Sequence, residues 1–239
     1  MAETSGFISD KNDRLSLTER NENARMSVIE KHILGGVDIP CADGVIISPE
    51  AIIGIGTQIL PGTIITGKTV IGTRCVIGPQ SKVESSIIGD DCVVNATQCE
   101  ESTIGNRVKL GPFTHIRPNC VLADGVYAGN FVEIKNSVIG ADTKISHLSY
   151  VGDSDVGSGV NIGCGCATAN YDGTSKYRTI IGDKAFIGCD TCLVAPVKVG
   201  SGAYTAAGSV ITEDVPDGTM AIARSRQNIK RKVRKYNED

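Results

Sequence analysis

Residues 71–83 read "IGTRCVIGPQSKV". Ile71, Ile77 and Val83 stand six residues apart, and the two hexads between them share one form. An aliphatic residue comes first, often Gly second, and a small residue or Val fifth. The leading position falls at 53, 59 and 65 upstream, and downstream at 88, 94, 104, 110, 116, 122, 128 and 134. It continues at 139, 145, 151, 156, 162, 181, 187, 193, 199, 205 and 211. A six-residue period matches neither the 3.6-residue turn of an α-helix nor the alternation of a hairpin array. It fits a coil of three short strands with a tight turn at each corner and the aliphatic residue pointing inward.

The sequence therefore predicts an all-β chain wound as a hexapeptide-repeat parallel β-helix. Hexads grouped in threes start coils at 53, 71, 88, 104, 122, 139, 156, 181 and 199. Stacked at the strand spacing of about 4.8 Å, these coils make a rod of roughly 40 Å. The shortened steps begin at 83, 134 and 151, each in the third hexad of its coil, and two positions are lost between 94 and 103. The one long insertion, "TANYDGTSKYRTI" (168–180), also falls in a third hexad. Irregularity is thus expected on one face, and loops placed by a rigid scaffold are where function concentrates.

Composition agrees with such a rod. Hydrophobic residues make up 41% but aromatic ones only 4%, so the core must be built from Val, Ile and small side chains. A net charge of −3 gives no argument for nucleic acid as a partner, although seven basic residues cluster between Arg224 and Lys235. No apolar run is long enough to span a membrane. The opening "MAETSGFISDKNDR" carries no apolar signal core, so the expected setting is cytoplasmic. Nine cysteines, an odd count, are then expected to be reduced thiols. Cys75, Cys92, Cys120 and Cys166 take the small fifth position. "CGC" (164–166) with "CDTC" (189–192) resembles a zinc spacing. The repeat already accounts for small buried thiols, so no metal is expected.

The repeat also assigns each polar residue a rung and a face. Arg117 and Lys135 follow inward positions on the third face, one rung apart. Such a stack of like charges is either a solvated surface pair or a site for an anion lying between them. His115, Glu133 and Tyr150 form a column at the corner between the second and third faces, where His115 is placed to pair with Glu133. His147 lies on the second face close to that corner, beside the column, the cations and the insertion. Imidazole is suited to taking a proton near neutral pH, so His147 is either a surface histidine or a general base.

Residues 53–211 resemble the left-handed hexapeptide acyltransferases. More narrowly, "IRPN" (116–119), "GNFVEIKNS" (129–137), "HLSYVGD" (147–153), "VNIGCG" (160–165), "ANYDG" (169–173) and "TIIGDKAFIGCDTCLVAPVKVG" (179–200) resemble one half of a bacterial family. That family comprises the bifunctional N-acetylglucosamine-1-phosphate uridyltransferase/glucosamine-1-phosphate N-acetyltransferases, and the half is the acetyltransferase. The match runs through "ARSRQ" (223–227). The resemblance implies that His147 deprotonates the amine of glucosamine 1-phosphate, which attacks the thioester of acetyl-CoA. It implies that Arg117, Lys135, Tyr150, Asn161 and Lys176 hold the amino sugar and its phosphate. It places Cys164, Asn170, Tyr171, Cys189, Ala207 and Arg224 at the acetyl-CoA site. It also implies a homotrimer with pockets between neighbouring rods. No metal is required for the transfer, because a thioester is already activated.

The sequence departs from the family pattern in two respects. Positions 164 and 189 are Cys where the family has Ala and Ser, both still small; Cys189 keeps only a weak donor where a hydroxyl is expected. Nothing resembles the family's Gly-rich "GxGTRM" nucleotide loop, so uridylyl transfer is not expected of these residues. Three units are expected: an arm over 1–44, partly helical, with Leu15, Leu17, Met26, Ile29 and Ile33 in a loose helical period; the β-helix over 45–214; and a basic tail over 215–239. Alternative readings are an acetyltransferase for another amino sugar or nucleotide-linked sugar, and a non-catalytic scaffold. A γ-type carbonic anhydrase needs three histidine ligands, and His32 in the arm leaves only His115 and His147 on the prism.

Overall fold

The computed structural model describes residues 11–230. The first ten residues of the arm and residues 231–239 of the basic tail lie outside the described residues. Helix α1 (Lys11–Leu34) is followed by a left-handed parallel β-helix of short strands. Nine strands, from Ile52–Ile53 to Val197–Val199, pair in chain order as the first face. Their inward residues are the nine coil starts expected from the period. The second and third faces are joined into one 18-stranded sheet. The strands Tyr127–Lys135 and Lys144–Gly152 cause this, running on around the corner for nine residues each.

The short strands from Ile46–Ile47 to Val210–Ile211 alternate outward and buried residues, so the hexad fills the core from three sides. Ile59, Ile65, Ile77, Ile116 and Ile134 are wholly buried. Each such side chain contributes about 1.5–3 kcal/mol relative to an exposed one. The small fifth residue has a polar task. Thr57 Oγ1 donates to the Gly72 carbonyl at 2.7 Å and accepts from the Cys75 amide at 3.0 Å. Cys75 Sγ donates to the Gly89 carbonyl at 3.1 Å, and Cys92 Sγ to the Gly105 carbonyl at 3.1 Å. A thiol or hydroxyl of the right size thus satisfies backbone groups that the corner would otherwise bury unpaired. The glycine after the inward residue answers a different need: a Cβ at Gly72 would come within 2.7 Å of the Gly89 carbonyl on the next rung.

Three details differ from the counted repeat. The positions apparently lost between 94 and 103 are not empty, because Cys99 is wholly buried there, in register with Val83 and Ile116. Its thiol is pushed up to about 12 by burial. Thr168 fills the inward slot after Ile162, opposite Leu193. A search for aliphatic residues passes over both. The coil also extends past the counted hexads: Ile46–Ile47 pairs with Ile64–Thr66 before them, and Met220–Ala221 pairs with Tyr204–Thr205 after them.

Helix α1 caps the rod with its last turns. Ile29 is wholly buried and Met26 packs on the core, while Leu15, Leu17 and Ile33 stay exposed. Arg25 Nη1 donates to the carbonyls of Ala42 at 3.0 Å and Val45 at 2.8 Å, pinning the helix to the start of the coil. Among the described residues no helix is long and apolar enough to cross a membrane.

Candidate active site

The register places the third-face residues where the rung count puts them. His115 pairs with Glu133, Glu133 with Tyr150, and the Arg117 amide bonds to the Ile134 carbonyl beside Lys135. The side chains make different partnerships from those expected. Arg117 Nη1 lies 2.9 Å from Glu133 Oε1. Lys135 Nζ lies 3.7 Å from Asp153 Oδ2. The two stacked cations therefore each have a carboxylate on the third face or at its edge. His115 does not take Glu133; its Nε2 is 3.9 Å from Glu100 Oε2 and makes no hydrogen bond. The guanidinium, always charged and with several donors, holds the carboxylate in place of the imidazole. Tyr150 folds back over Gly152, where a Cβ would meet its phenol oxygen.

His147 is exposed at the corner between the second and third faces, opposite Asn130. Leu148 beside it holds a φ of +53°, in the left-handed region. Phe131 (φ +58°) and Phe113 (φ +61°) precede it on the same corner, their rings stacked 5.4 Å apart. Bulky residues in this region cost about 1–3 kcal/mol each. Lys144 and Ile145 pair with Asn161 and Ile162, and Tyr150 pairs with Ala167, which sets Cys164 on the rung beyond His147. The Asp190 amide bonds to the Cys164 carbonyl at 2.7 Å, and the Gly208 amide to the Cys189 carbonyl at 2.8 Å. Cys164, Cys189 and Ala207 thus continue one corner column from His147. Arg224 stands exposed at its end, its Cδ against Gly208. Close stacking keeps the column low: a Cβ at Gly163 would fall 2.6 Å from the Cys189 amide, and one at Gly188 2.6 Å from the Ala207 amide. The result is a shallow track of small residues with a cation at one end.

The remaining candidates lie elsewhere on the rod. Asn161 points out from the second face, in register with Lys144 and Phe186, and so stands on a different face from Arg117, Lys135 and Tyr150. Asn170, Tyr171 and Lys176 belong to the insertion, at the opposite edge of the third face from the His147 column. Tyr171 and Lys176 form an antiparallel bridge, and Asp172 Oδ1 accepts from the amides of Thr174 and Ser175 at 2.8 and 2.7 Å. The loop is therefore a folded hairpin, exposed from Tyr171 to Arg178. Two clefts on the single chain, one of about 330 Å³ between Val210 and Ala223 and one of about 460 Å³ lined by Arg107, Lys109, Tyr127 and Lys144, do not coincide with the candidates. Among the described residues no three His, Cys, Asp or Glu side chains converge as metal ligands.

Sequence reasoning passed over Asp153, which is 4% exposed at the centre of this group. It accepts hydrogen bonds from Asn136 Nδ2 and Asn170 Nδ2. Burial alone would raise its pKa. The amides of Asn136 and Asn170 and the charges of Lys135 and Lys176 outweigh that and hold it below the usual carboxylate value. The available signal was its spacing: it lies one coil beyond Asn136 and one coil before Asn170.

Comparison with known proteins is consistent with this architecture. A family model described as the GMPPB C-terminal domain matches residues 42–130, and one described as the hexapeptide repeat of succinyl-transferase matches residues 178–213. The bifunctional protein GlmU of Caldanaerobacter subterraneus is 52% identical over 92% of this chain and 48% of its own length. That of Geobacillus sp. is 50% identical over 90% of this chain and 47% of its own. That of Acetivibrio thermocellus is 50% identical over 95% and 50%. A solved UDP-N-acetylglucosamine acyltransferase shares the fold, at 20% identity and a TM-score of 0.50, covering 78% of this chain and 71% of that one. This chain, which spans about half the length of the curated relatives it matches, is a hexapeptide-repeat β-helix similar to the C-terminal half of the GlmU proteins.

Proposed function

We propose that this chain transfers the acetyl group of acetyl-CoA to the amine of glucosamine 1-phosphate, giving N-acetylglucosamine 1-phosphate for UDP-N-acetylglucosamine synthesis. The observation that carries the reading is the position of His147. It heads the track of Cys164, Cys189 and Ala207 and borders the face that presents Arg117 and Lys135.

The track fits an extended thiol cofactor. Its side chains are small, its backbone is closely stacked, and Arg224 supplies a cation for phosphate at one end. Acetyl-CoA, when bound, supplies the activated acyl group. Arg117 and Lys135 bind the sugar phosphate, exchanging part of their pairing with Glu133 and Asp153 for charge-assisted bonds to it. Tyr150, Asn161 and Lys176 orient the sugar. Asn170 and Tyr171, which lie across the third face from this track, complete the donor side in a pocket shared between rods. His147 accepts the proton that the amine loses as its nitrogen attacks, which general-base catalysis makes faster by about 10²–10⁴-fold.

Asn161 serves a site with Arg117 and Lys135 most simply if one rod's second face meets another rod's third face. A homotrimer with shared pockets is therefore part of the proposal. A cytoplasmic setting is also part of the proposal, since an odd number of cysteines suits reduced thiols. Purified protein supplied with acetyl-CoA and glucosamine 1-phosphate tests the reading by release of free CoA thiol. Turnover of another amino sugar in place of glucosamine 1-phosphate would shift the substrate, and no turnover of any amino sugar would reject the enzyme. Sedimentation giving the mass of one chain rather than three would reject the trimer.

A further inference from the structure

The insertion between residues 168 and 180 is tied to the rod at both ends, and each tie ends on a carboxylate. Asn170 donates its Nδ2 to Asp153 Oδ2. Arg178 donates Nε and Nη2 to the two oxygens of Asp155 at 2.9 and 2.6 Å, with further bonds from Nη2 to the Ser154 carbonyl at 3.0 Å and from Nη1 to the Asn136 carbonyl at 3.1 Å. The two acids differ in setting. Asp155 is half exposed and pairs as a surface residue does. Asp153 is almost wholly buried, between the amides of Asn136 on one rung and Asn170 on the other, with Lys135 Nζ 3.7 Å away.

The backbone does not require a charge at position 153. The same corner on the two preceding coils is occupied by Asn119 (φ +64°) and Asn136 (φ +46°), and Asp153 has a φ of +49°. Asn is among the residues that tolerate this left-handed conformation best, so a neutral amide would serve the turn. Burying a carboxylate is costly unless it is paired and hydrogen-bonded. Here it has three partners, and two of them, Lys135 and Asn170, meet at the same carboxylate oxygen while being assigned above to the acceptor and to the donor.

We propose that Asp153 is the positioning residue of this site: its buried carboxylate fixes Lys135 and the head of the inserted loop, at Asn170, in a single frame. The assignment rests on the proposed function to the extent that Lys135 binds the sugar phosphate and Asn170 the acetyl donor. Asp153 itself touches neither. Its effect is to hold the acceptor-side cation near the head of the loop, because one carboxylate pairs with Lys135 and accepts the hydrogen bond of Asn170.

The test uses the full chain with Asp153→Asn, which keeps the size of the side chain but removes its charge and faces two amide donors with a third amide. Limited trypsin digestion reads the loop directly, since Lys176 and Arg178 lie in it. Cleavage there is expected to speed up by about 10-fold or more, the usual scale for losing a hydrogen bond to a charged group. The rod's circular dichroism should be unchanged. KM for glucosamine 1-phosphate and KM for acetyl-CoA are expected to rise together, whereas a purely structural defect would lower the active fraction and leave both KM values in place. Wild-type cleavage rates with both KM values unchanged would overturn the proposal. Should Asp153→Asn not fold, Asn170→Ala keeps the buried charge against Asn136 and Lys135 and removes only the loop tie. Unaltered loop cleavage in that variant would equally overturn it. If the wild-type protein does not acetylate glucosamine 1-phosphate, the functional reading fails, and the proteolysis arm still decides the role of Asp153.

Discussion

Arg117 and Glu133, on neighbouring rungs of the third face, form a 2.9 Å ion pair whose side chains are 40% and 39% exposed. An exposed pair of this kind contributes only about 0–1 kcal/mol to stability, so the guanidinium can leave it at little cost. Arg117→Ala should therefore change the unfolding free energy by less than about 1 kcal/mol. The same variant should raise KM for glucosamine 1-phosphate by about 10- to 100-fold, the scale of a lost charged hydrogen bond. Denaturant titration and steady-state kinetics read the two quantities, and an unchanged KM would remove Arg117 from the phosphate site.

His147 is exposed and its side chain makes no hydrogen bond among those observed in the described residues, so removing it should leave the fold intact. His147→Ala is expected to lower kcat by about 10²–10⁴-fold with an unaltered melting temperature. A scaffold without catalysis predicts no change in any measured rate.

The acids that tie the loop should contribute to the loss of stability in acid. Asp153 and Asp155 both have pKa values held below the usual carboxylate value. For Asp153 burial opposes, while Asn136, Asn170 and Lys135 prevail; for Asp155 the bond from Arg178 leads. A depressed folded pKa means that the stabilisation is complete above the unfolded value of about 3.9 and is lost as pH falls through the lower folded one. Thermal unfolding followed from pH 6 down to about pH 3 should show this loss, and Asp153→Asn should make the curve flatter. An equally steep acid loss in that variant would assign it to other carboxylates.

Thiol labelling separates the cysteines by position. Cys99 is wholly buried with a thiol pushed up to about 12, whereas Cys189 is exposed on the corner track. Reactivity follows thiolate content and access. N-ethylmaleimide should therefore modify Cys189 in the native protein and reach Cys99 only after denaturation, as read by peptide mass spectrometry. Acetyl-CoA should protect Cys189. Labelling of Cys189 that ignores acetyl-CoA would argue against the track as its binding surface.

The core predicts a large loss on truncation. Ile134 is wholly buried between Ile116 and Val151 on the adjoining rungs. Ile134→Ala should destabilise by about 2–5 kcal/mol, through lost transfer energy and the cavity left behind. A denaturant midpoint close to that of the wild type would mean that the coils collapse around the gap.

The inward residue every six positions determined the coil, its nine first-face rungs and the pairing of His115 with Glu133 and Glu133 with Tyr150. Period converts directly into rung and face when the backbone has so little freedom. The same count placed Arg117 over Lys135 and His147 near the corner. It could not see Cys99 or Thr168 as core, because it searched for aliphatic residues while the slot asks only for size and burial. Nor could it tell which side chains meet. That Glu133 takes Arg117 rather than His115, and that Asp153 lies buried between Asn136 and Asn170, were decided by the tertiary structure. Those outcomes depend on where flexible side chains reach across rungs and around corners, and on competition among donors for one carboxylate. Spacing along the chain sets which groups are near; packing and hydrogen bonding choose among them.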